Sequence, residues 1–191
     1  MSSLEQSLWN AAWNGDLVLI RKCLEAGAQV NLRAANEATP LEAAAYNAQA
    51  DACALLLDSG ADPNTYAAAT GETVLHQVIT KNGDPRRTRI VKMLIAAGAD
   101  VTRRTIPQVS TLCFARDIRA RGETPLHRAA AYGDVEMIEA LIAAGADKSV
   151  KDIHGESALT WASWHLRDNA ILRTLLYGEF EGSIPESKTT D

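Results

Sequence analysis

Gly122-Glu123-Thr124-Pro125-Leu126-His127-Arg128-Ala129-Ala130, continuing through a second apolar run to Leu141-Ile142-Ala143-Ala144-Gly145-Ala146-Asp147, decides the fold of this 191-residue chain. The pattern returns upstream. Thr39-Pro40-Leu41-Glu42-Ala43-Ala44-Ala45 leads in the same way to Leu55-Leu56-Leu57-Asp58-Ser59-Gly60-Ala61-Asp62, with threonine and glycine 21 positions apart in both copies. Weaker copies begin at Gln6, Thr73 and Ser157, so the starts fall at 6, 39, 73, 124 and 157, in steps of 33, 34, 51 and 33. One step therefore carries about 18 residues more than a repeat of about 33.

The chemistry of the unit predicts two short helices. A threonine N-cap followed by proline supplies an acceptor for free N–H groups and a backbone angle already suited to helix. Small residues such as Ala44-Ala45 allow a neighbouring helix to come close. Asn14-Gly15-Asp16 and Gly133-Asp134 turn the chain into a second helix with apolar Leu and Ile. Gly27, Gly60, Gly98 and Gly145 follow that helix, where a left-handed residue is needed. One such pair cannot bury its own apolar face, so the units must stack.

The repeated pattern resembles the ankyrin-repeat family, with its G-x-T-P-L-H-x-A-A stretch and G-A-D ending, over roughly residues 4 to 180. The resemblance implies an all-α solenoid of five helix-turn-helix repeats with short β-turn fingers over 1–181, and partners docking on the concave face. Glu42 stands where the family has histidine, Val74 where it has proline, and Ala48 where it has the turn glycine. The first and last units are degenerate, as solenoid caps are. Residues 182–191 lack periodicity and are expected to be a disordered tail.

Composition narrows the function. The chain is 47% hydrophobic and 23% charged, with ten aromatics and much alanine, which suits closely packed helices. A net charge of −5 argues against a generic binder of nucleic acid or anionic membrane. The N-terminus lacks a basic stretch followed by an apolar core, and no run reaches the ~20 apolar residues of a membrane helix, so a cytoplasmic protein that is monomeric when free is expected. Cys23, Cys53 and Cys113 are too few and too far apart for a disulfide framework or a metal site.

Phosphate-cradling, zinc-protease and serine-hydrolase motifs are absent, and no cofactor or metal is expected. His76 and His127 occupy the fourth place of the threonine-led motif, where the resemblance implies hydrogen bonds within and between repeats. His154 and His165 read as surface polarity. Cys23 and Cys53 read as buried inert thiols, whereas Cys113 lies in the insert beside Arg116 and Arg119, which would favour thiolate, and beside Leu112 and Phe114, which would favour packing. An enzyme or regulatory subunit using Cys113 or the histidines, and a self-assembling array, are the competing classes.

The remaining candidate is surface. At the ends of the first helices the family's groove positions fall on Trp13 and Asn14, Tyr46 and Asn47, Thr80 and Lys81, Ala131 and Tyr132, and Trp164 and His165. Aromatics there suit interface anchors. The insert divides into about four residues within 81–89 and about fourteen within 101–121. Between Lys81 and Arg128 eleven cations, nine of them arginine, face four acids, giving +7 there and −12 elsewhere. An acidic protein partner, internal pairing and nucleic acid compete to explain this stretch, and the first is preferred, with Lys81, Arg103, Arg104, Arg116 and Arg119 as contacts. Ile106, Val109, Leu112 and Phe114 predict that the longer loop folds back on the array.

Overall fold

The computed structural model describes residues 3–33, 38–79, 84–109 and 121–177. Among them are ten helices and no strands: α1 (Ser3–Asn14), α2 (Leu17–Glu25), α3 (Pro40–Tyr46), α4 (Ala50–Asp58), α5 (Val74–Val78), α6 (Pro85–Ala96), α7 (Pro125–Tyr132), α8 (Val135–Ala143), α9 (Ala158–Trp164) and α10 (Asn169–Leu175). Odd-numbered helices stack on one another as an inner row, and even-numbered helices form the outer row. This is the all-α solenoid that the resemblance implies, built from the stacked helix pairs that the repeat predicts.

Threonine starts three of the inner helices. At α3 the Glu42 amide donates to Thr39 Oγ1 (3.2 Å) while the Thr39 amide donates to Glu42 Oε2 (2.6 Å). At α5 and α7 a histidine replaces the carboxylate: Nδ1 of His76 and of His127 accepts from the amides of Thr73 and Thr124, each at 3.2 Å. The outer helices α2, α8 and α10 instead start at Asp16, Asp134 and Asp168, whose carboxylates accept from Leu19, Met137 and Ile171. Gly27, Gly60, Gly98 and Gly145 leave the outer helices at φ between 86° and 100°, where a side chain is strained.

Apolar spacing puts Leu8, Leu41, Leu75 and Leu126 of the inner row against Ile20, Leu56, Leu94 and Leu141 of the outer row, all fully buried or within 1% of it. Ala11, Ala12, Ala44, Ala45, Ala129 and Ala130, equally buried, let the inner helices approach without side chains between them. Burying a leucine contributes about 1.5–3 kcal/mol, which one helix pair collects on one side and its neighbours on the other.

The third unit departs from its neighbours. Asp84 accepts from Arg86 N (3.0 Å) with Pro85 as the first helical residue, so α6 begins early and runs 12 residues against nine in α2, α4 and α8. Pro85 to Arg89 are therefore helical.

Between repeats the chain forms hairpin fingers. Their closing rungs run from Ala67 N to Glu72 O (2.8 Å), Thr105 N to Glu123 O (3.0 Å) and Asp152 N to Glu156 O (2.8 Å). Neighbouring fingers join from Ile106 N to Thr70 O (2.8 Å) and from Ile153 N to Arg121 O (2.9 Å). The equivalence of the rungs locates the longer insertion: it leaves from the tip of the third finger, after Ile106 and before Gly122. Ile106, of the apolar set expected to fold back, is joined to the preceding finger through its backbone although its side chain is 42% exposed. Leu112, Phe114 and the expected tail lie outside the described residues.

Candidate partner-binding surface

The groove positions form two aromatic clusters. Trp13, 39% exposed, stacks on Trp9 from the preceding turn of α1 (5.1 Å between centroids) and on Tyr46 of α3 (5.9 Å), with interplanar angles of 22° and 21°. Asn14 beside it is exposed, and Asn47 is half-buried as the C-cap of α3. In the last two units Tyr132 meets His165 edge-on at 5.0 Å. Trp164, 54% exposed, lies beneath the Arg121 guanidinium (5.3 Å), which also overlies Trp161 (5.9 Å). Lys81, Cys113, Arg116 and Arg119 lie outside the described residues. Trp9 and Tyr66 had been passed over in the sequence; four-residue spacing from Trp13 is the signal that marks Trp9, whereas nothing local marks Tyr66.

The basic stretch divides sharply. Arg128 is fully buried, its Nε and Nη2 donating to Glu123 Oε1 (3.1 and 2.7 Å), its Nη1 to the His76 carbonyl (2.9 Å), and its Nη2 lying 2.7 Å from Glu72 Oε1. Burial works to raise the Glu123 pKa, but Arg128's charge and hydrogen bonds, with bonds from Thr105 Oγ1 and Arg121 N, bring it down to about 2. Arg87, 3% exposed, donates to the carbonyls of Val78 (2.7 Å) and Tyr46 (2.8 Å), which end α5 and α3. Arg86 pairs with Asp84, Arg89 with Asp51 and Lys92 with Glu136. Contacts within the fold thus occupy these five cations, four of them through carboxylates and Arg87 through carbonyls.

Arg103 and Arg104 are different. The Arg103 guanidinium lies over the Tyr66 ring, 3.6 Å from its centroid. Arg104 donates from Nε to Gly122 O (2.7 Å) and from Nη2 to Lys151 O, bridging the third and fourth fingers. Carbonyls orient a guanidinium without neutralising it.

The histidines of the motif are occupied by structure. Because Nδ1 of each accepts from a threonine amide, Nε2 carries the proton and donates to the next repeat, His76 to Glu123 O (3.3 Å) and His127 to Glu156 O (3.1 Å). Burial drives the pKa of His76 down to about 3 and lowers that of His127. Burial likewise raises the Cys23 thiol, and pushes the Cys53 thiol up to about 12, which makes both poor nucleophiles at neutral pH. Among the described residues no group of His, Cys, Asp or Glu is placed to hold a metal ion, and no helix is long and apolar enough to cross a membrane.

A family profile described as "Ankyrin repeats (3 copies)" matches residues 8–105 and again 108–184. The chain belongs to the ankyrin-repeat family. This ankyrin-repeat chain is 30% identical to a putative ankyrin repeat protein FPV222 of fowlpox virus, over 72% of its own length and 20% of the viral protein's. It is 29% identical to human SH3 and multiple ankyrin repeat domains protein 2, over 91% of its length and 8% of that protein's. Against BRCA1-associated RING domain protein 1 of Caenorhabditis elegans the identity is 32%, over 53% of this chain and 14% of the other. The chain thus spans a fifth or less of these curated relatives. Ankyrin repeats are generally protein–protein interaction modules.

Proposed function

We propose that this array holds a folded protein against its concave face as a stoichiometric adaptor, inhibitor or immunity-type protein. The observation that carries the reading is the Trp13–Tyr46 stack: large rings, partly exposed on a rigid inner row, where burial costs little side-chain entropy. Trp164, Tyr132 and the residues around them supply a second anchor at the other end of the groove, and Lys81, Arg116 and Arg119 add cationic contacts. The nematode relative's printed name records association with another protein, which supports a binding role. The burial of His76, His127, Cys23 and Cys53 supports it over catalysis. We further propose that the protein is cytoplasmic and monomeric when free, with an acidic surface on the partner.

The test is quantitative capture from the source lysate with the full chain, the Trp13→Ala/Tyr46→Ala variant, and a chain in which residues 109–120 become a Gly/Ser linker of equal length. That boundary spares the rungs at Thr105 and Ile106. A partner retained by the full chain and lost at least tenfold by the aromatic variant supports the groove. Undiminished capture by that variant, with its melting temperature unchanged, overturns it.

A further inference from the structure

We propose that the fingers form a basic ledge that takes an extended acidic segment of a protein partner, with one carboxylate per repeat. The sixth position after the helix-ending glycine is Arg33, Tyr66, Arg104 and Lys151 in successive fingers. These positions are joined into one line, because Arg33 Nη2 donates to the Tyr66 carbonyl (2.7 Å) and Arg104 Nη2 to the Lys151 carbonyl. Tyr66 is the one position without a cation of its own, and there Arg103 of the following finger lies flat on the ring at 3.6 Å. Arg33 at the first finger is already paired with Glu42 (3.3 Å), so the line presents an uncommitted positive charge at each of the other three fingers, on a chain whose net charge is −5.

The cations are also held. The Tyr66 ring holds the Arg103 guanidinium and two carbonyls hold that of Arg104, so little rotamer entropy remains to be lost on binding. Among the described residues neither guanidinium lies within ion-pair distance of a carboxylate, unlike those of Arg86 and Arg89, although the charge of Arg103 acts on Asp100 nearby. Arg104 and Lys151 are exposed, Arg103 is half-buried and Tyr66 is 40% exposed.

Spacing selects the ligand. Helices stacked in a row lie about 8–10 Å apart, which sets the interval between fingers. A polyproline-type segment rises about 3.1 Å per residue with three residues per turn, so every third side chain falls on one face at about 9 Å intervals. A β-strand would turn alternate members of that series away from the ledge. The fitting occupant is thus a polyproline-like stretch with Glu or Asp at every third residue. Single-stranded nucleic acid would need open aromatic faces for its bases, and the face of Tyr66 is already covered by Arg103.

This inference rests on the protein-binding reading above, and its test is separate from it. Fluorescence anisotropy with the full chain at low salt compares labelled (Glu-Pro-Pro)5, (Gln-Pro-Pro)5, an isomer of the first with its five glutamates contiguous, and a 15-residue oligothymidine. The ledge requires (Glu-Pro-Pro)5 to bind at least tenfold more tightly than each of the others. Arg103→Gln and Lys151→Gln should each weaken it by about three- to tenfold with melting temperature unchanged, while Lys22→Gln on the outer row leaves it intact. Equal binding of the contiguous isomer, tighter binding of the oligonucleotide, or indifference to Arg103→Gln and Lys151→Gln overturns the ledge. Any of these would leave lysate capture through Trp13 and Tyr46 standing, whereas loss of capture alone would refute the groove and not the ledge.

Discussion

Leu166 holds φ at 51° with 91% of its surface exposed, at the turn between α9 and α10. The left-handed region costs a non-glycine residue about 1–2 kcal/mol. Glycine returns about 0.5–1 kcal/mol of that through its freer unfolded chain. Leu166→Gly should therefore raise stability by about 0.5–1 kcal/mol, read as a higher urea midpoint. Ala48 shares the geometry at φ 56°, but its buried methyl group fills space, so the same exchange there gains less. Arg128 is the opposite case. Arg128→Ala would leave Glu72 and Glu123 facing each other without their cation, a loss of about 3–5 kcal/mol in chemical denaturation. Sequence counting gathers Arg128 and Arg87 into the basic stretch and leaves open whether they face solvent or the interior. Nothing adjacent to either shows that it faces the interior; only the partners at Glu72, Tyr46 and Val78, up to 56 positions away, do so.

At the scale of elements, neighbouring repeats are stapled by asparagine. Asn31 Nδ2 donates to Gly60 O (3.0 Å) while its Oδ1 accepts from Asp62 N (2.8 Å), and Asn64 makes the same pair of bonds to Gly98 O (3.0 Å) and Asp100 N (2.7 Å). The next two units have Thr102 and Ser149 at this place, and their hydroxyls bond within their own turn, to Asp100 and Asp147. Asn64→Ala should cost about 1–2 kcal/mol, and Thr102→Asn, which restores the reach toward Gly145 and Asp147, should gain about 1 kcal/mol, both measured by thermal denaturation. The helices, their caps and their order were legible because Thr39, Thr73 and Thr124 act locally. Glu42 was legible only as a departure. In the structure its carboxylate makes the bond that His76 and His127 make elsewhere, with Arg33 at 3.3 Å. Of the groove, Trp13, Tyr46, Tyr132 and Trp164 could be placed from the repeat, whereas the stacking of Arg103 on Tyr66 joins residues 37 positions apart and has no local signature.

Across the whole molecule, buried titrating groups tie stability to pH. His76, with a pKa of about 3, and His127, also lowered, stay neutral in the fold, while histidine in the unfolded chain takes up a proton near pH 6.5. Acidification therefore favours the unfolded chain from about pH 6.5 downward, by at most about 1.4 kcal/mol per pH unit for each histidine. Glu123 extends the loss from its ordinary range toward pH 2, and Glu42, raised by burial, opposes it weakly. Melting temperature should be flat between about pH 7 and 8 and fall between pH 6.5 and 5, with a shallower slope in His127→Gln. The third finger has a further consequence. Its rung from Thr105 to Glu123 and the bond from Ile106 to Thr70 close the hairpin beneath its tip, so stacking below is insulated from whatever the tip carries. Doubling a loop's length adds only about 0.6 kcal/mol of closure entropy. The tip is thus a natural graft port: a foreign epitope or cleavage sequence spliced between residues 109 and 121 would be displayed beside the groove while the array beneath keeps its melting temperature.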